Sequence, residues 1–160
     1  MRYRKLLVIV PFLLFFFFSC KKGGANKETY YMNAEIDGTL TSFTFGILAD
    51  TLSTPQSLSY IISAKKTFSD GLLFFNLLNY NKTKLIPGTY TGTNQLYLYI
   101  AYQSSGKEYN NLAFQGFTVE ITSVTNSSIS GNFYGIVKVP LNQADSVKIS
   151  NGHFSAPLIK

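Results

Sequence analysis

Cysteine is almost absent from this chain of 160 residues, because Cys20 is the only one. A chain with a single thiol cannot form an internal disulfide. Residues 21–160 also lack a thiol nucleophile and any cysteine ligand for a metal. The length from residue 20 onwards is sufficient for one domain with a hydrophobic core of its own.

Histidine is equally scarce, since His153 stands alone. A nucleophile triad needs a base beside its Ser or Cys, but alternation places His153 opposite Phe154, where a solvated strand histidine is expected. The eight acidic residues are spread singly, apart from Glu35 and Asp37. That pair could bind Ca²⁺ with loop carbonyls, or it is a solvated pair before a turn. We therefore predict no catalytic residue, no metal, no cofactor and no enzyme activity.

The positive charge of the chain is spread thinly. Loss of Arg2, Arg4 and Lys5 with a cleaved signal would reduce the fourteen basic residues to eleven, against eight acids, for a net charge of about +3. The remaining lysines are scattered along the sequence. A nucleic-acid footprint needs a clustered basic face, so no nucleic-acid partner is expected.

The start of the chain has the parts of a secretory signal. Basic residues are followed by thirteen apolar residues at 6–18, and small Ser19 precedes Cys20. The apolar run is shorter than the about 20 residues of a membrane span. The segment resembles the bacterial lipoprotein signals common in Bacteroidota. The resemblance implies a signal peptide at 1–19 and a lipid on Cys20, with an ordinary secretory signal or an uncleaved anchor as the alternative.

Residues 20–29 are predicted to be the lipidated cysteine and a flexible tether. Nine residues of coil have a root-mean-square reach of about 16 Å, so the folded part would stay close to a membrane. In the lipoproteins that this start resembles, an acidic cluster after the cysteine tends to direct export to the cell surface. Here the residues are basic and glycine-rich. The resemblance therefore implies an outer membrane lipoprotein that faces the periplasm.

From residue 30 to 160 the pattern is typical of β-strands. Apolar residues recur at period two, and Gly, Asn, Ser and Asp cluster between the runs. Asp37-Gly38 predicts a tight hairpin turn. We expect an all-β, single-domain antiparallel β-sandwich or flattened β-barrel of about nine strands, with little or no helix. The run at 72–78 is apolar on both faces, so it is either a covered central strand or a strand that faces a partner.

Short motifs of strands and turns recur along this body. They include Ile36-Asp37-Gly38, Gly88-Thr89-Tyr90, Ser130-Gly131-Asn132-Phe133 and Ile149-Ser150-Asn151-Gly152-His153-Phe154. In this order they resemble a group of small Bacteroidota lipoproteins of unknown function. The resemblance implies an antiparallel β body on a lipid anchor, and it implies no activity.

Tyrosine is the one excess, with eleven in the chain. Tyr97, Tyr99 and Tyr102 fall in one predicted strand, where alternation sets Tyr97 and Tyr99 on one face and Tyr102 on the other. An exposed tyrosine surface flanked by asparagines would suit a glycan, because sugar rings stack on aromatic rings. Tyrosine is also common in half-buried strands for packing alone. These three residues are the candidate ligand-binding residues.

The sequence as a whole predicts a membrane-anchored lipoprotein that is a non-catalytic binding module. Its ligand would be a glycan, an apolar molecule or an envelope protein. The alternative is a structural or assembly accessory of the outer envelope that uses sheet edges and apolar patches.

Overall fold

The structure is a computed structural model that describes residues 29–91, 96–112, 116–140 and 142–159. Within these ranges the chain forms eleven β-strands and no helix, which confirms the all-β prediction. The strands are β1 (Tyr31–Ile36), β2 (Thr39–Phe43), β3 (Phe45–Ser53), β4 (Leu58–Lys65), β5 (Leu72–Asn79), β6 (Gly88–Tyr90), β7 (Leu96–Ser104), β8 (Lys107–Asn110), β9 (Phe117–Val124), β10 (Ser128–Val139) and β11 (Asn142–Ile159). Cys20 and the predicted signal peptide lie outside the described residues.

The strands form one sheet that folds into two layers. Its order is β2-β1-β11-β3-β4-β5-β7-β8-β10-β9-β6, and β10 also pairs with β11. The first layer contains β2, β1, β11, β10, β9 and β6, and the second contains β3, β4, β5, β7 and β8. The layers are joined at β11–β3 and at β8–β10, which gives a sandwich with barrel-like closure.

One pairing departs from the expected antiparallel pattern. Leu158 and Ile159 of β11 pair in parallel with Ala49 and Asp50 of β3. The direction follows from the order of the chain, because β1 is antiparallel to both β11 and β2, and β3 continues from β2 after Thr44. The break at Thr44 separates β2 from β3, and the described residues form eleven strands where about nine were expected.

The tight turn predicted at Asp37-Gly38 is present, and a second one lies at Ser105-Gly106. Asp37 and Gly38 have φ of 49° and 80°, and Ser105 and Gly106 have φ of 52° and 76°. Two successive positive φ values are the signature of the hairpin turn whose twist matches that of the flanking strands. These turns fix the register of β1 with β2 and of β7 with β8.

Aromatic rings fill the space between the layers. The ring centroid of Phe75 in β5 lies 4.7 Å from that of Phe133 in β10, 5.8 Å from that of Phe154 and 6.4 Å from that of Phe117. All four side chains are buried. Glycines make room for them, since a Cβ at Gly131 would lie 2.8 Å from the Phe154 ring. The core is therefore continuous across both layers, as expected for a single domain.

Among the described residues there is no helix with the length and apolar character needed to cross a bilayer.

Candidate functional site

The three candidate tyrosines all lie on β7, on two different faces. Tyr97 is 40% exposed, and Tyr99 is half-buried. Both point outward from the second layer, because their neighbours Leu98 and Ile100 are buried in the core. Tyr97 and Tyr99 are thus available at the surface on the same side of the strand.

Tyr102 lies on the inner side of β7 and belongs to the core. It is 6% exposed. Its ring stacks on Tyr109 at 6.2 Å and meets the edge of Phe43 at 6.4 Å. The three tyrosines therefore do not form one surface, and Tyr102 contributes to stability rather than to the outer face.

The outward tyrosines belong to a larger apolar surface on the second layer. Strand register places Leu52, Ser59, Leu78 and Tyr97 in one cross-strand row. On the same side of the layer, the next row contributes Ile61, and the row after it contributes Phe74. We call Leu52, Ile61, Phe74, Leu78 and Tyr97 the outer apolar face. Leu52 is 57% exposed, and Ile61, Phe74 and Leu78 are half-buried.

This surface explains the doubly apolar run at 72–78. Leu73, Phe75 and Leu77 are fully buried between the layers. Leu72, Phe74 and Leu78 point the other way and are only half-buried. The strand is central in its layer, as one of the two sequence-based interpretations holds, but its outer side remains in contact with solvent.

Polar side chains on the outer side of this layer are bonded to one another. The hydroxyl of Ser59 donates to Asn76 Oδ1 at 2.5 Å. Glu108 accepts from the Tyr99 hydroxyl at 3.1 Å, from Gln103 Nε2 at 3.3 Å and from Asn110 Nδ2 at 3.1 Å. Several of the polar side chains beside the outer apolar face are therefore bonded within the protein.

The hydrogen bonds around Glu108 shift two pKa values in opposite directions. The pKa of Glu108 is lowered, first by the bond from Asn110 and then by those from Tyr99 and Gln103, while burial opposes the shift. Burial raises the pKa of Tyr99, and the hydrogen bond and negative charge of Glu108 raise it further. At neutral pH the pair is therefore a neutral phenol that donates to a carboxylate.

A second polar group lies on the outer side of the first layer. Asn132 joins Glu120 and His153 across three strands: its Nδ2 donates to Glu120 Oε2 at 3.0 Å, and its Oδ1 lies 2.8 Å from His153 Nδ1. These residues line a shallow cleft of about 570 Å³ together with Tyr134. The alternation in the sequence indicates that Glu120, Asn132 and His153 are on the polar sides of their strands. Only the pairing of β9, β10 and β11 brings these three residues together.

His153 is exposed and faces away from buried Phe154, as the alternation predicts. The hydrogen-bond partner of His153 is Asn132. On the same strand, the Ser150 hydroxyl donates to Glu35 of β1 at 3.2 Å.

The Glu35 and Asp37 pair makes structural bonds to β11. Asp37 Oδ1 accepts from the backbone N–H of Lys148 at 2.8 Å, and Glu35 accepts from Ser150. Within the described ranges, no three residues of the His, Cys, Asp and Glu types come close enough to hold a metal ion.

A second cavity opens at one end of the sandwich, between the layers. It has a volume of about 750 Å³. Its lining residues are Thr51, Leu58, Tyr60, Lys84, Leu85, Val124, Thr125, Asn126 and Leu158. We call it the end cleft. It combines an apolar lining with a few polar groups, which is the usual composition of a small-molecule site.

No protein-family model, no curated protein and no solved structure matches this chain.

Proposed function

We propose that the protein is a non-catalytic binding module, anchored to the outer membrane by a lipid on Cys20, that binds an envelope protein through the outer apolar face. The observation that carries this proposal is the exposure of Leu52 and Tyr97 beside half-buried Ile61, Phe74 and Leu78. A group of apolar side chains exposed on one face of a domain is commonly a site of association.

The chemistry of the outer apolar face favours a protein over a glycan. Sugar recognition needs aromatic rings together with polar groups that are available to hydroxyls. The nearby amide oxygen of Asn76 accepts from Ser59, and the hydroxyl of Tyr99 donates to Glu108. Aliphatic Leu52, Ile61 and Leu78 offer no hydrogen bond, whereas aliphatic and aromatic side chains together are typical of the buried centre of a protein interface.

Acidic residues at two sides of the outer apolar face indicate the charge that the partner would carry. Asp50 is exposed on β3 at one side of the face, and Glu108 is exposed on β8 at the other. The lowered pKa of Glu108 keeps that carboxylate ionised at neutral pH. The partner would present an apolar centre flanked by basic side chains, because interfaces are complementary in potential.

The sheet edges are less suited to association than the face. The strand order ends in β2, with five residues, and β6, with three. Short edge strands offer few backbone groups to an added strand. An assembly role would therefore also use the outer apolar face rather than strand addition.

Binding to an envelope protein is tested by purifying the lipoprotein from solubilised envelopes and identifying the proteins that co-purify with it. Leu52→Asp and Tyr97→Ala change exposed members of the face, and Tyr134→Ala is the matched control, because Tyr134 is 53% exposed on the other layer. The proposal expects one stoichiometric partner that is lost with the first two variants and kept with the control. Loss with all three variants, or retention on immobilised glycans instead, would contradict it.

The anchor is tested separately. Cys20→Ala should move the chain from the membrane fraction to the soluble fraction, and the mass of the native N-terminal peptide should include acyl chains. Two or more chains make attachment effectively permanent, whereas a single chain binds only marginally. Tight membrane association of the Cys20→Ala variant would refute lipid anchoring.

A further inference from the structure

The end cleft lies at the same end of the sandwich as the start of β1, where the described part of the chain begins. Tyr31 at the start of β1 pairs with Ser155 of β11, and the cleft residue Leu158 follows three positions later. At about 3.3 Å per residue of strand, the two places are about 10 Å apart. The first described residues of the chain therefore lie beside the end cleft.

The end cleft has an apolar floor and walls. Tyr60 and Leu85 form its floor, with 6% and 7% exposure, and Leu58, Val124 and Leu158 are half-buried around it. The Tyr60 hydroxyl accepts a hydrogen bond from the backbone N–H of Leu85 at 3.2 Å. Its own proton has no acceptor among the contacts of the described residues, so it remains able to donate to a ligand.

The described loops at this end carry lysines, and the nearest acidic residue is Asp50 on β3, next to the cleft residue Thr51. Lys84 is exposed and lines the cleft, and Lys82 lies two residues before it. The three described loops of this end, at 54–57, 80–87 and 125–127, contain no acidic residue. Within the described ranges, Lys84 makes no ion pair. The polar group of a ligand seated in the cleft would therefore meet a positive charge.

Exposed apolar side chains surround the same end. Ile86 is 65% exposed and Tyr80 is 53% exposed, both in the loop that carries Lys84. Aromatic and aliphatic side chains beside lysines are the composition of segments that lie at a membrane interface. This composition, together with the start of β1 at the same end, suits an end of the body that faces a membrane.

We propose that the end cleft binds a long-chain fatty acid, with the hydrocarbon chain between the layers and the carboxylate at Lys84 and the Tyr60 hydroxyl. The expectation that the end cleft faces the membrane rests on the lipid anchor on Cys20 in the proposed function. The residues that line the end cleft all lie in the described part of the chain, so the binding site itself does not depend on the anchor. A volume of about 750 Å³ lies within the range of sites for small molecules.

The test uses the full lipoprotein reconstituted in vesicles with a photoreactive long-chain fatty acid, followed by mass spectrometry of the labelled peptides. Label is expected on residues of the end cleft, with competition by unlabelled fatty acid. Each added methylene of the competitor should raise its affinity by up to about fourfold. The alcohol of the same chain length should compete less well.

Two lysine variants separate a specific site from a basic surface. Lys84→Met should lower labelling by about two- to fivefold, as expected for loss of an exposed ion pair. Lys82→Met, in the same loop but outside the cleft lining, should leave labelling unchanged. Val124→Phe, which fills the cleft from one wall, should abolish labelling while the protein keeps its cooperative unfolding transition.

Equal effects of the two lysine variants, or label spread over Ile86 and Tyr80 instead of the cleft, would overturn the proposal in favour of plain contact with the bilayer. If Cys20 proves not to be acylated, the protein is recovered in solution, and the same probe added as monomers still labels the cleft. A failure of the anchor is thereby distinguished from a failure of the site.

Discussion

Tyr97 and Tyr102 lie on opposite faces of the same strand, one at the surface and the other in the core. The ring of Tyr102 stacks on Tyr109, while Tyr97 is 40% exposed beside Leu78 of the neighbouring strand. They are five positions apart in the sequence, and residues an odd number of positions apart lie on opposite faces of a strand. Their contributions to stability should differ accordingly.

Tyr102→Ala should lower the free energy of unfolding by about 3 to 5 kcal/mol, as truncation of a buried aromatic residue does. Tyr97→Ala should lower it by no more than about 1 kcal/mol. Urea unfolding followed by circular dichroism measures both. Similar losses for the two variants would contradict the assignment of Tyr97 to the surface.

Gly131 is expected to tolerate no side chain. A Cβ there would lie 2.8 Å from Cε1 of Phe154 and would also collide with the carbonyl oxygen of Glu120. Gly131→Ala should cost about 1 to 3 kcal/mol, the usual effect of overpacking. Thr122→Ala, at an exposed position of β9, is the control and should cost little. A neutral Gly131→Ala would show that β9 and β10 are not packed over Phe154 as described.

Glu108 should make stability depend on pH in the acidic range. Its folded-state pKa is lower than its ordinary value of 4.5, so its contribution is fully present above that pH and is lost as the pH falls through the lowered value. Tyr99→Phe removes one donor and should raise the pKa of Glu108, as measured by NMR titration of its carboxyl carbon. Tyr97→Phe should leave the titration unchanged, and an equal shift in both variants would exclude the hydrogen bond as the cause.

Tyr60→Phe should weaken the loop at 80–87. The change removes the hydroxyl that accepts from the Leu85 N–H, and both residues are buried. A buried donor without a partner costs about 1 to 3 kcal/mol. Hydrogen exchange at the Leu85 amide should accelerate in this variant but not in Tyr80→Phe, whose ring is exposed. Unchanged protection of Leu85 would mean that its N–H is not held by Tyr60.

The alternation of side chains predicted much of the fold. The inward set of Phe117, Val119 and Ile121 and the positive φ of Asp37-Gly38 could be predicted, because both depend on residues close in sequence. The parallel pairing of Leu158 with Ala49 could not be predicted. It joins residues more than one hundred positions apart and depends on the order of strands in the sheet.

The candidate site also depends on strand pairing between residues that are distant in the sequence. Tyr97 could be selected from its strand, but Leu52, Ile61 and Phe74 become its neighbours only through the registers of β3, β4, β5 and β7. The end cleft likewise combines Tyr60, Leu85 and Leu158 from distant segments. The sequence predicted which residues are apolar, and the topology determined which of them share a surface.

Site-specific photocrosslinking in living cells tests the central claim most directly. A photoreactive residue is placed at position 97 on the outer apolar face, at position 134 on the other layer, and at position 68 on a distant turn where Phe68 is 84% exposed. We expect one recurrent envelope protein to be captured from position 97 alone, with loss of the product when Leu52→Asp is added. The same products from all three positions, or a product from position 134 that Leu52→Asp does not affect, would contradict binding through the outer apolar face.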